Sequence, residues 1–183
     1  MPEQVMPETD LTTSRLRLRP FRPDDAPAIQ ARVDAEIARW IPVPDPYDLG
    51  AARDWCEKAL QLRLEGDGQQ WAITDREDGV LLGSIGLTRT RWASLTSEIG
   101  YWVAAATRGR GVAAEAARAV AEWGLREMGL VRVELIADVA NVASQRVAAK
   151  AGFHREGVLR SALLRRGVPR DVECWSLVRN DLA

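Results

Sequence analysis

Histidine is almost missing from this chain: His154 is the only one among 183 residues. It follows a Gly-Phe pair that ends a helical stretch, so it reads as a structural or solvated side chain. Cysteine is nearly as scarce. Cys56 and Cys174 lie far apart and fit no ligand spacing. They are expected as free thiols of a reducing, cytoplasmic setting, with no metal bound. Charge of neither sign prevails, with 25 basic against 26 acidic residues and a formal net charge of −1. Without a basic block the electrostatic footprint of a nucleic-acid binder is missing. No apolar run approaches the ~20 residues that would span a membrane. Met1–Thr12 is acidic and short, unlike a signal peptide. It is expected as a flexible lead-in to a single domain over residues 13–183, a length that can bury a real core. Repeats, low-complexity tracts and an interdomain linker are absent too.

What is present centres on Ser97–Phe153. Ser97–Val103 is rich in β-branched and aromatic residues and reads as a half-buried strand. Gly109 and Gly111 follow, just ahead of Val112, Ala116, Ala119, Val120, Trp123 and Met128, which repeat at helical spacing. Arg132–Asp138 reads as a strand, and Asn141 as the N-cap of a second helix ending near Gly152. Glycines before a helix let the backbone approach a ligand and take positive φ. The first helical turn adds free N–H groups and the positive end of the dipole. The combination suits a pyrophosphate, with Arg108 and Arg110 as added charge. A surface turn with solvated arginines is the plainer alternative. No Gly-Lys-Ser/Thr follows, so the turn is not a P-loop. The third glycine and the downstream acid of a dinucleotide fingerprint are also missing.

The flanking chain supplies the rest of a mixed sheet. Leu16, Leu18 and Pro20 alternate with Arg15, Arg17 and Arg19, as in a half-buried strand. Arg22-Pro-Asp-Asp opens a helix with Ala26, Ile29, Val33 and Ile37 inside, stopping near Trp40 because prolines follow at 42, 44 and 46. That proline-rich segment is either a spacer or, through Trp40 and Tyr47, a wall of an acceptor groove. Leu49–Glu65 reads as a helix, Gln70–Thr74 and Val80–Thr88 as a hairpin, and Arg89–Leu95 as a polar connection whose Trp92 is a further rim candidate. Leu159–Leu164 and Asp171–Val178 close the chain as a strand pair. The order β-α-α-β-β-β-α-β-α-β-β predicts an α/β (α+β) mixed sheet flanked by helices.

Arg108–Ala113, RGRGVA, resembles the GNAT acetyltransferase signature: Arg or Gln, two residues, Gly, one residue, then Gly or Ala. EIGYWV at 98–103 is similar to the strand before that loop. Asn141, Ser144, Val147, Lys150 and the AGF at 151–153 are similar to the second half of an acetyl-CoA site. TSRLRLRPFRPDD at 13–25, HREGVLR at 154–160 and DVECWSL at 171–177 resemble the ribosomal-protein-alanine acetyltransferase (RimJ/RimL-like) branch. The resemblance spans about residues 12–180. It implies a mostly antiparallel GNAT-like sheet and acetyl-CoA as cosubstrate. It further implies cofactor contacts from Tyr101, Trp102, Val103, Arg108, Gly109, Arg110, Gly111, Val112, Ala113, Asn141, Ser144 and Lys150. The acceptor would be a protein or peptide N-terminal α-amine, or else a small amine such as an amino acid, polyamine or aminoglycoside. A catalytically weak acetyl-CoA sensor is the reading from another class. A homodimer is allowed for.

Acyl transfer to an amine sets the roles. The amine must be neutral to attack, which is easier for an α-amine (pKa near 7.7–8.0) than for lysine (about 10.4). Glu98, on the strand before the loop, is the expected base, directly or through water; an exposed strand carboxylate is the plain alternative. Glu115 already has a reason to sit in a first helical turn. Many GNAT enzymes resemble one another in a tyrosine seven residues after the capping asparagine. Here that position is Ala148, and the branch resemblance implies Ser144 as donor to the leaving thiolate. Backbone N–H groups near Gly100–Val103 would serve the carbonyl oxygen if the strand bulges there.

Overall fold

Alternation along the strands sets the layers of this computed structural model, which describes residues 5–182. The strands are β1 (Leu11–Thr12), β2 (Leu16–Pro20), β3 (Gln69–Asp75), β4 (Leu81–Arg91), β5 (Thr96–Val103), β6 (Arg132–Asp138), β7 (His154–Arg165) and β8 (Val168–Val178). The helices are α1 (Ala26–Gln30), α2 (Ala35–Trp40), α3 (Leu49–Leu64), α4 (Val112–Arg126) and α5 (Val142–Lys150). One sheet runs β1-β2-β3-β4-β5-β6-β8-β7. Every neighbouring pair is antiparallel except β5 and β6. This is the mixed, mostly antiparallel sheet flanked by helices that the sequence predicts.

Trp71, Ile73, Ile85, Leu87, Ile99, Val133, Leu135 and Leu177 are buried in one core with Val112, Ala116, Val120 and Trp123 of α4. Trp71 meets Trp123 edge to face, with ring centroids 5.1 Å apart, an arrangement worth about 0.5–1.5 kcal/mol beyond its burial. Ala72, between Trp71 and Ile73, joins a second core with Leu81 at the start of β4, Ala26 and Ile29 of α1 and Ala52 and Cys56 of α3. β3 is covered on both sides and is buried from Gln69 through Thr74, polar ends included.

Two expectations are corrected. The helix predicted from Arg22 to Trp40 is divided. Asp34 is extended (φ −111°, ψ 176°) and its carboxylate accepts the Ile37 N–H, so a new helix starts there. The lead-in also differs. Residues 1–4 lie outside the described residues, but Met6 is fully buried and its N–H donates to the Arg63 carbonyl at 3.0 Å. The Trp71 indole N–H donates to the Thr9 carbonyl at 2.8 Å, and Leu11–Thr12 pairs with β2. A two-residue strand carries no periodic signal, so sequence pattern could not reveal it.

The feature that positions the site lies between β5 and β6. They pair only at Thr96–Arg132, Ser97–Val133 and Glu98–Glu134. Beyond Glu98, β5 continues along β4 to Val103, while β6 continues along β8 to Asp138. The strands part, and α4 and α5 each begin beyond the parted ends.

If residues 5–12 are an integral part of the core, Met6→Ala should destabilise the protein by about 2–5 kcal/mol, the range for removing a buried large apolar side chain. Urea denaturation followed by circular dichroism would measure it. A midpoint matching the parent would return the segment to a loose lead-in.

Candidate active site

Gly109 and Gly111 have φ of 76° and 81°, the left-handed region in which a Cβ is strained. Gly111 is the N-cap of α4. The N–H groups of Gly109, Gly111, Val112 and Ala113 find no acceptor among the described residues. Val112 and Ala113 bury their side chains in the core while their backbone opens α4. Four free N–H groups at the positive end of a 15-residue helix fit an anion such as a pyrophosphate.

The arginines are arranged differently from the sequence expectation. Arg108 donates from Nη2 to both carboxylate oxygens of Asp34, each at 2.8 Å, so its charge is tied to the first turn of α2. Those hydrogen bonds hold the Asp34 carboxyl below its usual range, against the opposing effect of burial. Arg110 is exposed, and its carbonyl accepts from Arg15 Nη1 at 3.0 Å. Arg15 is a group sequence reasoning missed. Glu115 holds it by Nε at 2.7 Å and by Nη2 at 2.6 Å. A Cβ on Gly111 would lie 3.5 Å from the same Nη2. Glu115 also accepts from the Thr13 hydroxyl at 2.5 Å. Burial opposes ionisation of Glu115, but the Thr13 and Arg15 hydrogen bonds prevail and keep its carboxyl below the usual range. The contact joins residues 100 apart in sequence, which no local pattern could announce.

On the other side of the parting, Asn141 caps α5. Its side-chain oxygen accepts the Ser144 N–H at 3.1 Å. Ser144 stands one turn in, and its hydroxyl lies 2.8 Å from the Tyr101 hydroxyl. Burial pushes the Tyr101 phenol up to about 12, against the effect of that hydrogen bond. Ala148 is fully buried, so the helix places a methyl in the core there. Lys150 is exposed at the last position of α5. The turn before α5 is fixed by Asp138, 3 % exposed. Asp138 accepts from the Ala140 N–H, from Arg170 Nε at 2.9 Å and from Arg165 Nη1 at 3.5 Å. Hydrogen bonds from Arg170 are the leading reason its carboxyl sits below the usual range.

Glu98 is the last residue of β5 that pairs with β6. It shares a sheet face with Glu134, and its carboxylate is ion-paired with Arg89. The bulge anticipated at Gly100–Val103 is absent, since β4 and β5 stay in register from Gly83–Val103 to Thr88–Glu98. The strand parting takes its place: from Ile99 onward the edge of β5 toward β6 has no strand partner. Trp102 packs against the second core and Val103 against the first.

The three aromatic rim candidates do not share a wall. Trp40 ends α2, donates to Glu36 at 2.7 Å, and lies under the guanidinium of Arg165, 5.2 Å from the ring centroid. Arg165 also donates to the Trp40 carbonyl at 3.0 Å. Tyr47 packs against the second core, and burial raises its phenol above the usual range. Trp92 is misplaced by the sequence reading. It sits in the β4–β5 turn, at the opposite end of β5 from the glycine turn, and its indole donates to the Gly66 carbonyl at 2.8 Å.

Comparison with known proteins agrees with this geometry. A family profile described as an acetyltransferase (GNAT) domain matches residues 15–154. The uncharacterized N-acetyltransferase YoaA of Bacillus subtilis is 31% identical over 170 residues, covering 92% of this chain and 96% of its own. The ribosomal-protein-serine acetyltransferase of Escherichia coli is 30% identical over 119 residues, 65% of each chain. Among solved structures, Mycobacterium smegmatis RimJ in complex with CoA-disulfide superposes with a TM-score of 0.83 at 24% identity, covering 95% of this chain and 88% of its own.

Gly111→Asp tests the anion site. The left-handed φ makes a side chain there cost roughly 1–2 kcal/mol, and its carboxylate would oppose an incoming phosphate. Calorimetric titration should show acetyl-CoA binding weakened at least about tenfold in a protein that still melts cooperatively. Equal affinity would move the cofactor away from this turn.

Proposed function

The chain belongs to the GNAT acetyltransferase family, an acetyl-CoA-dependent N-acetyltransferase by fold and sequence, and from that premise we propose that its acceptor is the α-amine of a protein or peptide N-terminus. The observation that carries this reading is charge balance among the carboxylates on and beside the parted strands. Glu98 is paired with Arg89, Glu134 with Arg91, Glu156 with Arg132 and Asp138 with Arg170. A polyamine or aminoglycoside carries several ammonium groups and needs carboxylates left free to meet them. A single α-amine at the end of an extended chain does not. The relative named as a ribosomal-protein-serine acetyltransferase supports the same acceptor class.

Acetyl-CoA, when bound, supplies an acetyl group on a thioester whose thiolate can leave. The glycine turn and the first turn of α4 would hold its pyrophosphate through backbone N–H groups. Glu98 would take the proton that the amine sheds, directly or through water, and Arg89 must share the carboxylate when it does. The nitrogen lone pair forms the C–N bond, the C–S pair stays on sulfur, and Ser144 at the head of α5 donates a hydrogen bond to that sulfur. An α-amine is substantially neutral near pH 8, so a carboxylate with an exchangeable partner is base enough. The helix dipole of α5 favours negative charge at the same place.

Acetyl-CoA consumption over a panel of N-terminal peptides, free amino acids, spermidine and an aminoglycoside would test the acceptor. Peptides with a free α-amine should turn over, and their Nα-blocked counterparts should not. Turnover confined to the polyamine or aminoglycoside would overturn the proposal.

On a working acceptor, Glu98→Gln should lower kcat about 10²-fold, the low end for loss of a general base, with acetyl-CoA affinity nearly unchanged. A loss below about threefold would leave Glu98 a strand carboxylate and nothing more.

A further inference from the structure

Tyr101 is partly buried, and its hydroxyl has one partner among the described residues, Ser144 Oγ at 2.8 Å. Its ring is accounted for: it packs against the main core from the part of β5 that has left β6. The hydroxyl is not. A ring that only filled space against the core would do so as phenylalanine, with no hydroxyl to be satisfied.

We propose that Tyr101 is a positioning residue for the transfer, donating its O–H to Ser144 Oγ so that the Ser144 proton is turned toward the leaving sulfur. The proposal rests on Ser144 being the donor to that sulfur.

A serine hydroxyl has one proton and can accept through its lone pairs. If Ser144 donated to Tyr101, that proton would be spent on the phenol, with nothing left for sulfur. If Tyr101 donates, the proton is free. Burial keeps the phenol protonated far above neutral pH, so it always has a proton to give. The rest of Ser144 is already constrained. Its N–H is held by the Asn141 cap, and its Cα belongs to the first turn of α5. The remaining freedom is rotation of the side chain and its proton, and the phenol restricts both. Two hydroxyls in series also polarise one another, so the outer one becomes the stronger donor. No proton need cross to sulfur: the C–S pair stays on the thiolate, and both O–H bonds remain intact.

Ala148 places this arrangement in context. The α5 position one turn further on carries a methyl buried in the core. A phenol reaches the same helix end from β5 instead, where the parting of β5 and β6 makes room for its ring.

The test compares Tyr101→Phe, Ser144→Ala and the double variant in steady-state kinetics, with acetyl-CoA titration and melting curves alongside. Tyr101→Phe keeps the ring. It should lower kcat about two- to tenfold, the span of one neutral hydrogen bond. KM for acetyl-CoA and the melting temperature should stay near the parent values. Ser144→Ala should lower kcat three- to a hundredfold. In the Ser144→Ala background, adding Tyr101→Phe should change kcat by less than about 1.5-fold, because the phenol acts through that hydroxyl. A structural role would not produce this dependence. 3-Fluorotyrosine at position 101 keeps the packing and makes a stronger donor, so it should hold or raise kcat; a clear fall would overturn the proposal even if the phenylalanine variant did not fold. Unchanged kcat in Tyr101→Phe, or losses that multiply in the double variant, would overturn the positioning role and leave Ser144 as donor. Unchanged kcat in Ser144→Ala would remove the donor reading itself, and this proposal with it.

Discussion

Three residues of β5 pair with three of β6, and then the strands separate. The rest of the molecule depends on that limit. The pairing is parallel, so both strands deliver their chains to the same end of the sheet, and both following helices start there. Had the pairing continued to Val103, the β5 edge would be filled with ladder bonds and Tyr101 would face a neighbouring strand. Instead β6 pairs with β8 and β5 with β4, and each strand meets most of its backbone demand on its outer side. The inner edges are free for a ligand, and two helix N-termini supply the field that an anion or a developing thiolate requires.

Long-range ion pairs keep the opening in shape. Asp34 heads α2 and receives Arg108 from the glycine turn. Arg165, from β7, reaches Asp138 and the end of α2 together. Glu115 gathers Thr13 and Arg15 onto the start of α4. Removing one partner of a largely buried pair such as Asp138 leaves a charge in poor solvation, so these contacts act as fixed points even where their net energy is small.

The sequence made legible whatever is contiguous. The glycine turn, the capped start of α5 and the apolar stripe of α4 each lie within one short stretch of chain, and the structure keeps them. Contacts that cross the chain were not legible. Arg108 reads as free charge until Asp34, 74 residues away, is folded against it. Tyr101 reads as a strand aromatic until Ser144, 43 residues on, meets its hydroxyl. Trp92 shares its residue type with Trp40 but lies at the far end of β5, because an antiparallel turn reverses direction in a way composition cannot show. The break before α2 was hidden for another reason: Ala26, Ile29 and Ile37 keep helical spacing across it, and only the side chain of Asp34 marks a new start.

The two cores share the sheet but no residue. One is closed by α4 and the other by α1 and α3, with alternate positions of β3 assigned to each. Substitutions at well-separated positions with no shared partners combine nearly additively. The chain is therefore modular in an evolutionary sense: the layer bearing α1 and α3 can drift in shape and polarity while the half that holds α4 keeps its geometry.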